Sequence, residues 1–275
     1  MKTIVITGST SGIGEATAIY FANNNFNVIA TARNPEKSEA LKSHSNIHLY
    51  SMDVTNLDSI KKAVTQITND FEKIDVLLNN AGYGLLSPFE ITSNTEIKNI
   101  FETNVFGVME VTRAFLPKLK SQKSGIIINV TSIGGLVTMP LNSIYHATKY
   151  AIEGFSESLI YELQDFGISV KLIEPGGVKT NFFKVATIIE DKENYPEYTN
   201  IVKSVKERFE QSLTQDDNLY STAEDVAKRI FETATNNQPN IRNIVGNGAN
   251  AMYEMKKQLK DYEFISAVSE MFIKK

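Results

Sequence analysis

Short apolar runs alternate with longer amphipathic stretches from the first residues of this chain, and that alternation leaves few folds open. Ile4–Ile6, Val28–Ala30, His48–Tyr50, Val76–Leu78, Ile126–Val130 and Val170–Ile173 read as buried strands, with Ile241–Val245 a seventh. Between them, Gly14–Asn23, Ser59–Phe71, Glu96–Leu119 and Ser143–Gln164 carry apolar residues at helical spacing. A strand that is apolar at successive positions needs cover on both faces, and the intervening helices supply it. Right-handed crossovers then predict an α/β fold: a Rossmann-type, doubly wound parallel sheet of about seven strands with helices on both faces. Its ligand crevice lies at the carboxyl ends of the strands.

The 275 residues suffice for one such unit, and no linker, repeat or low-complexity tract divides them, so 1–275 reads as a single domain. The stretch Phe182–Tyr220 breaks the alternation: it is polar, helical in pattern and dotted with Phe182, Phe183, Tyr195, Tyr198 and Phe209. A helical lid over the crevice, at about 182–220, is the expectation. The amphipathic tail Tyr262–Lys275 is expected to dock on the body. A net charge of −4 argues against a nucleic-acid partner. The absence of cysteine excludes disulfides, thiolate metal sites and a Cys nucleophile, and His44, His48 and His146 do not cluster with carboxylates, so no metal is expected. No apolar run is long enough to span a membrane, and the first strand begins too early for a signal peptide, which makes the cytoplasm the expected location.

Thr7-Gly8-Ser9-Thr10-Ser11-Gly12-Ile13-Gly14 follows the first strand and opens the first helix. Small residues there let the backbone approach a pyrophosphate, and the helix N-terminus presents free N–H groups and a positive dipole end. The glycines are spaced Gly-x-x-x-Gly-x-Gly rather than Gly-x-Gly-x-x-Gly. The second strand ends in Ala32-Arg33, where an acidic residue would hold the ribose 2′-hydroxyl of NAD. Arg33 suits a 2′-phosphate instead, so NADP(H) is the preferred cofactor, with NAD(H) possible.

Tyr145-His-Ala-Thr-Lys149 sets a phenol and an ammonium one helical turn apart, downstream of an apolar strand that ends in Thr131-Ser132. A lysine close to a tyrosine favours the phenolate and is expected to lower its pKa from the free value of about 10. Such a tyrosine can pass a proton to or from an alcohol oxygen near neutral pH. A second string with the same spacing, Tyr253 to Lys257, lacks a Ser-ending strand upstream and reads as helix surface.

The glycine loop, Asp53-Val54, Asn79-Asn80-Ala81-Gly82, Ser132, Tyr145 with Lys149, and Pro175-Gly176 occur in a fixed order that closely resembles the short-chain dehydrogenase/reductase family. The resemblance is to its compact single-domain branch, spans roughly residues 3–180, continues weakly to about 246, and is nearest hydroxysteroid and retinol dehydrogenases. It implies an NADP(H)-dependent oxidoreductase that interconverts a hydrophobic ketone or aldehyde and its alcohol. Tyr145 would be the acid/base, Lys149 its partner and a ligand of the nicotinamide ribose, Ser132 a donor to the substrate oxygen, and Asn104 an organiser of a water-linked proton relay. Asp53 and Val54 would meet the adenine, and Asn80, Ala81 and Gly82 the adenosine ribose side. Pro175, Gly176, Gly177, Val178, Lys179 and Thr180 would shape the nicotinamide pocket, with the Val178 backbone and the Thr180 hydroxyl on the carboxamide. Met139, Phe182 and Phe183 are candidates for an apolar substrate wall or for ordinary core. Family habit implies a homodimer or homotetramer through Glu96–Leu119 and Ser143–Gln164. The competing reading is a non-catalytic dinucleotide-binding sensor or scaffold, which retention of Ser132, Tyr145 and Lys149 disfavours.

Overall fold

The computed structural model describes residues 1–179, 187–215, 219–236 and 239–273. Seven strands form its main sheet: β1 (Lys2–Thr7), β2 (Phe26–Ala32), β3 (Ile47–Ser51), β4 (Val76–Asn79), β5 (Gly125–Val130), β6 (Ile168–Pro175) and β7 (Arg242–Val245). Their order is β7-β6-β5-β4-β1-β2-β3, and every pairing is parallel. The chain works outward from β1 to β3, then returns to the other side of β1 with β4. That reversal opens a crevice beyond the carboxyl ends of β1 and β4.

The longer helices are α1 (Gly12–Asn23), α2 (Leu57–Asp70), α3 (Asn94–Phe101), α4 (Gly107–Gln122), α5 (Ser143–Leu163), α6 (Thr199–Gln215), α7 (Ala223–Thr235), α8 (Asn247–Gln258) and α9 (Asp261–Phe272). The pleat sends alternate residues of each strand to opposite faces. Ile4 and Ile6 of β1 pack with Phe21 of α1 and with Val226 and Ile230 of α7. Val5, between them, packs with Ile60 and Ile67 of α2, Val111 and Phe115 of α4 and Leu159 of α5. Full burial of each such side chain contributes about 1.5–3 kcal/mol, so both faces of the sheet are firmly covered.

The expected single helix over Glu96–Leu119 is interrupted. It starts earlier, on a reciprocal cap between Ser93 and Glu96, and between α3 and α4 it widens into one π-helical turn, Glu102–Phe106, where Gly107 N–H reaches back to Glu102 O. Within that turn the Asn104 side chain is held by the backbone of Tyr83, a tertiary contact that periodicity along the chain does not register.

The tail docks on the body: Phe264 and Val268 of α9 are buried with Ile133, Val137 and Ala249, behind the segment that follows β5. Of the expected lid, the described part includes Thr187–Ile188, paired with Leu85–Leu86, and α6, whose Val202 and Val205 are buried. Tyr198 donates to Glu90 from the same region (2.8 Å). Among the described residues, no helix is long and apolar enough to cross a membrane.

Candidate active site

The turn from β1 into α1 is held open by its glycines and tied down by its neighbours. Gly8 has φ +65°, and a Cβ there would lie 2.8 Å from Ala81 Cα; at Gly14 it would lie 2.2 Å from Gly8 O and 2.6 Å from Asn80 Nδ2. Either substitution would fill the cradle. Asn80 Nδ2 donates to Thr7 O and Gly8 O (2.9 and 3.0 Å), while the N–H groups of Asn80 and Ala81 donate to Thr7 Oγ1 (2.9 and 3.0 Å). The end of β4 therefore fixes the loop from beneath. Ser9 is buried and its hydroxyl donates to Thr31 O (3.1 Å), so its side chain braces β2. Thr10, Gly12 and Ile13 are partly exposed, and Ser11 is exposed at the helix start. A bare backbone cradle at the N-terminus of α1 fits a pyrophosphate.

Arg33 is exposed beside the buried Ala32 and takes part in no ion pair among the described residues. Asp53 Oδ1 accepts from both Thr55 N–H and Thr55 Oγ1 (2.9 and 2.8 Å), so this residue also builds the turn into α2. Val54 packs partly against the core beneath it.

Beyond β4 and β5 the proton-transfer candidates meet. Ser132 and Tyr145 share a hydrogen bond. Ser132 Oγ also donates to Pro175 O (3.4 Å) and accepts from Gly134 N–H (3.0 Å). Lys149, one turn along α5 from Tyr145, is 8 % exposed and places Nζ 5.8 Å from the Tyr145 ring centroid, donating to Val130 O (3.2 Å). Asn104 is buried: its Nδ2 donates to Tyr83 O (2.9 Å) and Thr148 Oγ1 (3.2 Å), and its Oδ1 accepts from Tyr83 N–H (3.0 Å). A Cβ on Gly82 would come 3.1 Å from Asn104 Oδ1 and 3.8 Å from Lys149 Nζ. Gly82, Asn104 and Lys149 thus converge on one point.

One expectation needs correction. The Tyr145 phenol is pushed up to about 12, because burial outweighs the hydrogen bond it shares with Ser132. Burial also pushes Lys149 down to about 8, against an opposing pull from Glu153. The spacing argument counted the ammonium and left out desolvation.

Pro175 and Val178 are buried, and Gly176 N–H donates to Val245 O (2.9 Å). Val178–Lys179 pairs with Ser221–Thr222 as a short parallel ladder, and Gly177 O accepts from Ser221 N–H (3.0 Å). Met139 packs with Ile133 and Phe264 in the small core under the tail. Thr180, Phe182 and Phe183 lie outside the described residues. The second string is a surface arrangement: Lys257 Nζ lies 5.6 Å over the Tyr253 ring and pairs with Glu254 (3.0 Å).

A family profile described as short chain dehydrogenase matches residues 2–190. The chain belongs to the short-chain dehydrogenase family. It is an oxidoreductase of the kind that acts on CH–OH groups with NAD(P). An uncharacterised oxidoreductase of Schizosaccharomyces pombe is 39% identical over 236 residues, covering 85% of this chain and 96% of its own. Human retinol dehydrogenase 8 is 36% identical over 190 residues, 66% of this chain and 60% of that one. Among solved structures, a short-chain dehydrogenase from Streptomyces avermitilis superposes with a TM-score of 0.81 at 30% identity, covering 97% and 98% of the two chains. ElxO with NADP bound gives 0.74 at 27%, covering 91% and 99%.

In this short-chain dehydrogenase, sequence reasoning missed a group of residues behind Lys149. Glu153, Glu174 and Arg242 form an ion cluster with Thr131, and His146 is buried next to Tyr145. The signal for the first was an acidic residue at the apolar, buried end of a strand, Leu172-Ile173-Glu174-Pro175.

Proposed function

We propose that the protein is an NADP(H)-dependent reductase of hydrophobic ketones or aldehydes, working reversibly as an alcohol dehydrogenase, with Tyr145 as the acid/base. The observation that carries this reading is the hydrogen-bonded Ser132–Tyr145 pair with buried Lys149 on the same helix, all at the carboxyl ends of β4 and β5. The nicotinamide, when bound, supplies or accepts the hydride. Ser132 and Tyr145 are two hydroxyl donors for one carbonyl oxygen, so they polarise it and stabilise the negative charge it gains. With its phenol at about 12, Tyr145 carries its proton through the neutral range, the form that reduction consumes. Oxidation needs the phenolate and should accelerate as pH rises toward that value. Lys149 and Asn104 border the same point beside Gly82; Lys149 would hold the nicotinamide ribose and Asn104 the proton path.

Arg33 after Ala32, exposed at the end of β2, supports the preference for a 2′-phosphate. Similarity to a retinol dehydrogenase supports a hydrophobic substrate. The same reading takes the chain as one domain with a lid at about 182–220, acting in the cytoplasm as a homodimer or homotetramer; Phe106 and Tyr161 are exposed on the helical faces that would meet.

The test is turnover of a panel of ketones and aldehydes with NADPH. Tyr145→Phe should abolish turnover while NADPH still binds; unchanged turnover would end the assignment. Arg33→Ala should weaken NADPH binding about tenfold or more and leave NADH binding alone. Tighter binding of NADH than NADPH by the wild type would refute the preference.

A further inference from the structure

One stripe of α5 carries Tyr145, Lys149, Glu153 and Glu157 at four-residue intervals. The reading above uses the first two. Glu153 is 4 % exposed and Glu174 fully buried, and both meet Arg242 of β7. Glu153 Oε1 accepts from Thr131 Oγ1 (2.6 Å), and its Oε2 accepts from Arg242 Nε (3.1 Å). Arg242 Nη2 lies 2.8 Å from the half-exposed Glu157. Glu174 Oε2 accepts from Asn243 N–H (2.7 Å), whereas its buried Oε1 has no hydrogen-bond partner and meets Arg242 Nε at 3.8 Å.

Two buried carboxylates and one exposed one therefore face a single guanidinium. Both buried groups cannot be charged there without a large desolvation cost. Burial raises the Glu153 carboxyl above its ordinary value, but its two donors, one of them cationic, pull against that rise, so of the two buried groups it is the better-held anion. Glu174 has an idle oxygen, so it is the neutral acid; burial and the Glu153 charge push it up to about 8. The connections lead to the reaction centre. Thr131 immediately precedes Ser132, Glu174 immediately precedes the Pro175 whose carbonyl accepts from Ser132, and Glu153 follows Lys149 by one turn.

We propose that Glu153 is a positioning residue for the reaction: pinned by Thr131 and Arg242, its carboxylate is the counter-charge that keeps Lys149 an ammonium and ties α5 to the strand ends that present Ser132 and Pro175. This rests on the reading that Lys149 serves Tyr145. Burial works to strip the proton from Lys149, and Glu153 is the charged group that opposes it. The other groups facing Lys149 are the Tyr145 phenol, the Val130 carbonyl and, across the crevice, Asn104. Those facing Glu153 are Thr131 from β5, Glu174 from β6, Arg242 from β7 and Glu157 on its own helix; Tyr150 feels both Glu153 and Lys256 of α8.

The experiment follows the Lys149 side-chain resonance in protein labelled with 13Cε-lysine, assigned through Lys149→Arg, across pH, beside the pH profile of turnover with NADPH. Removing a negative charge beside an ammonium lowers its pKa. Glu153→Gln should move the Lys149 midpoint down by about one unit and carry the alkaline limb of the profile down with it. Glu174→Gln, a mimic of the neutral acid, should leave the midpoint in place. Should Glu153→Gln fail to fold, Thr131→Val decides: it loosens the same carboxylate and should shift the midpoint the same way by a smaller amount. A Lys149 midpoint unmoved in the folded Glu153 variant, or in Thr131→Val where that variant decides, overturns the proposal, as does a Glu174→Gln shift as large as that of Glu153→Gln. If Tyr145→Phe and Lys149→Met retain turnover, the catalytic reading has failed whatever Glu153 does. If they lose it while the Lys149 midpoint ignores Glu153, only the positioning role has failed.

Discussion

Acidification should unfold this protein through His146 in particular. The ring is 3 % exposed, its Nδ1 accepts a long hydrogen bond from Met139 N–H (3.4 Å), and its Nε2 has no partner. That network assigns the neutral ring its proton on Nε2. Protonation would place a charge in an apolar setting and turn Nδ1 into a donor facing another donor. Burial accordingly lowers the pKa from 6.5 to about 4. An unfolded chain takes up this proton first, so the native state holds its full advantage above about 6.5 and loses it as pH falls through about 4. The difference of roughly 2.5 units is worth about 3 kcal/mol, a large share of the stability of an ordinary domain. Glu174 acts in the opposite sense: its raised pKa gives stability that is present below about 4.5 and is lost as pH rises through about 8. A single acid titration of the wild type would mix the two.

The clean measurement is therefore a difference of differences. Urea unfolding of the wild type and of His146→Leu at pH 7 and pH 4 cancels Glu174, which both proteins share. The wild type should lose about 2–3 kcal/mol more than the variant across that interval. Parallel pH slopes would refute the argument. The loss bears on the site, because a Cβ on Gly134 would sit 2.7 Å from the His146 ring, and Gly134 N–H donates to Ser132 Oγ. A displaced His146 ring frees the segment that holds Ser132, so activity should fall with stability over the same pH range.

Two substitutions test the rest of the site. Gly14→Ala puts a methyl group within 2.2 Å of Gly8 O and 2.6 Å of Asn80 Nδ2, so it should cost about 1–3 kcal/mol of stability and weaken NADPH binding by about tenfold or more in calorimetry; unaltered affinity would contradict a pyrophosphate on this turn. Asn104→Ala leaves the Tyr83 N–H and C=O without their side-chain partners and should lower stability by about 2–4 kcal/mol, with a fall in turnover of at least about tenfold; a melting temperature within a degree or so of wild type would show that the π-helical turn stands without it.

The parts of this site that were legible are those whose geometry is written locally. A strand, a glycine-rich turn and a helix start lie within Lys2–Asn23, so spacing alone carries the phosphate cradle. Tyr145 and Lys149 are one turn apart on one helix, and helical geometry alone puts them on one face. The doubly wound order follows in the same way, since short apolar strands joined by helices admit few arrangements. What stayed hidden depends on pairs far apart in sequence. Nothing near position 104 announces that its amide will clamp Tyr83, and nothing near position 242 announces that its guanidinium will answer two buried carboxylates, from α5 and β6.

The sign of the Tyr145 shift fails for a related reason. A neighbouring charge can be read from spacing, but desolvation depends on how the whole fold closes over the site, and here it is the larger effect. The same closure makes the charges behind Lys149 matter. An ammonium in a burial that lowers its pKa to about 8 would be deprotonated for much of its time at neutral pH if its counter-charge were taken away. The α5 stripe through Glu153 is thus better explained by the electrostatics of Lys149 than by stability alone, since an apolar residue of similar volume would pack there without the desolvation cost of a buried carboxylate.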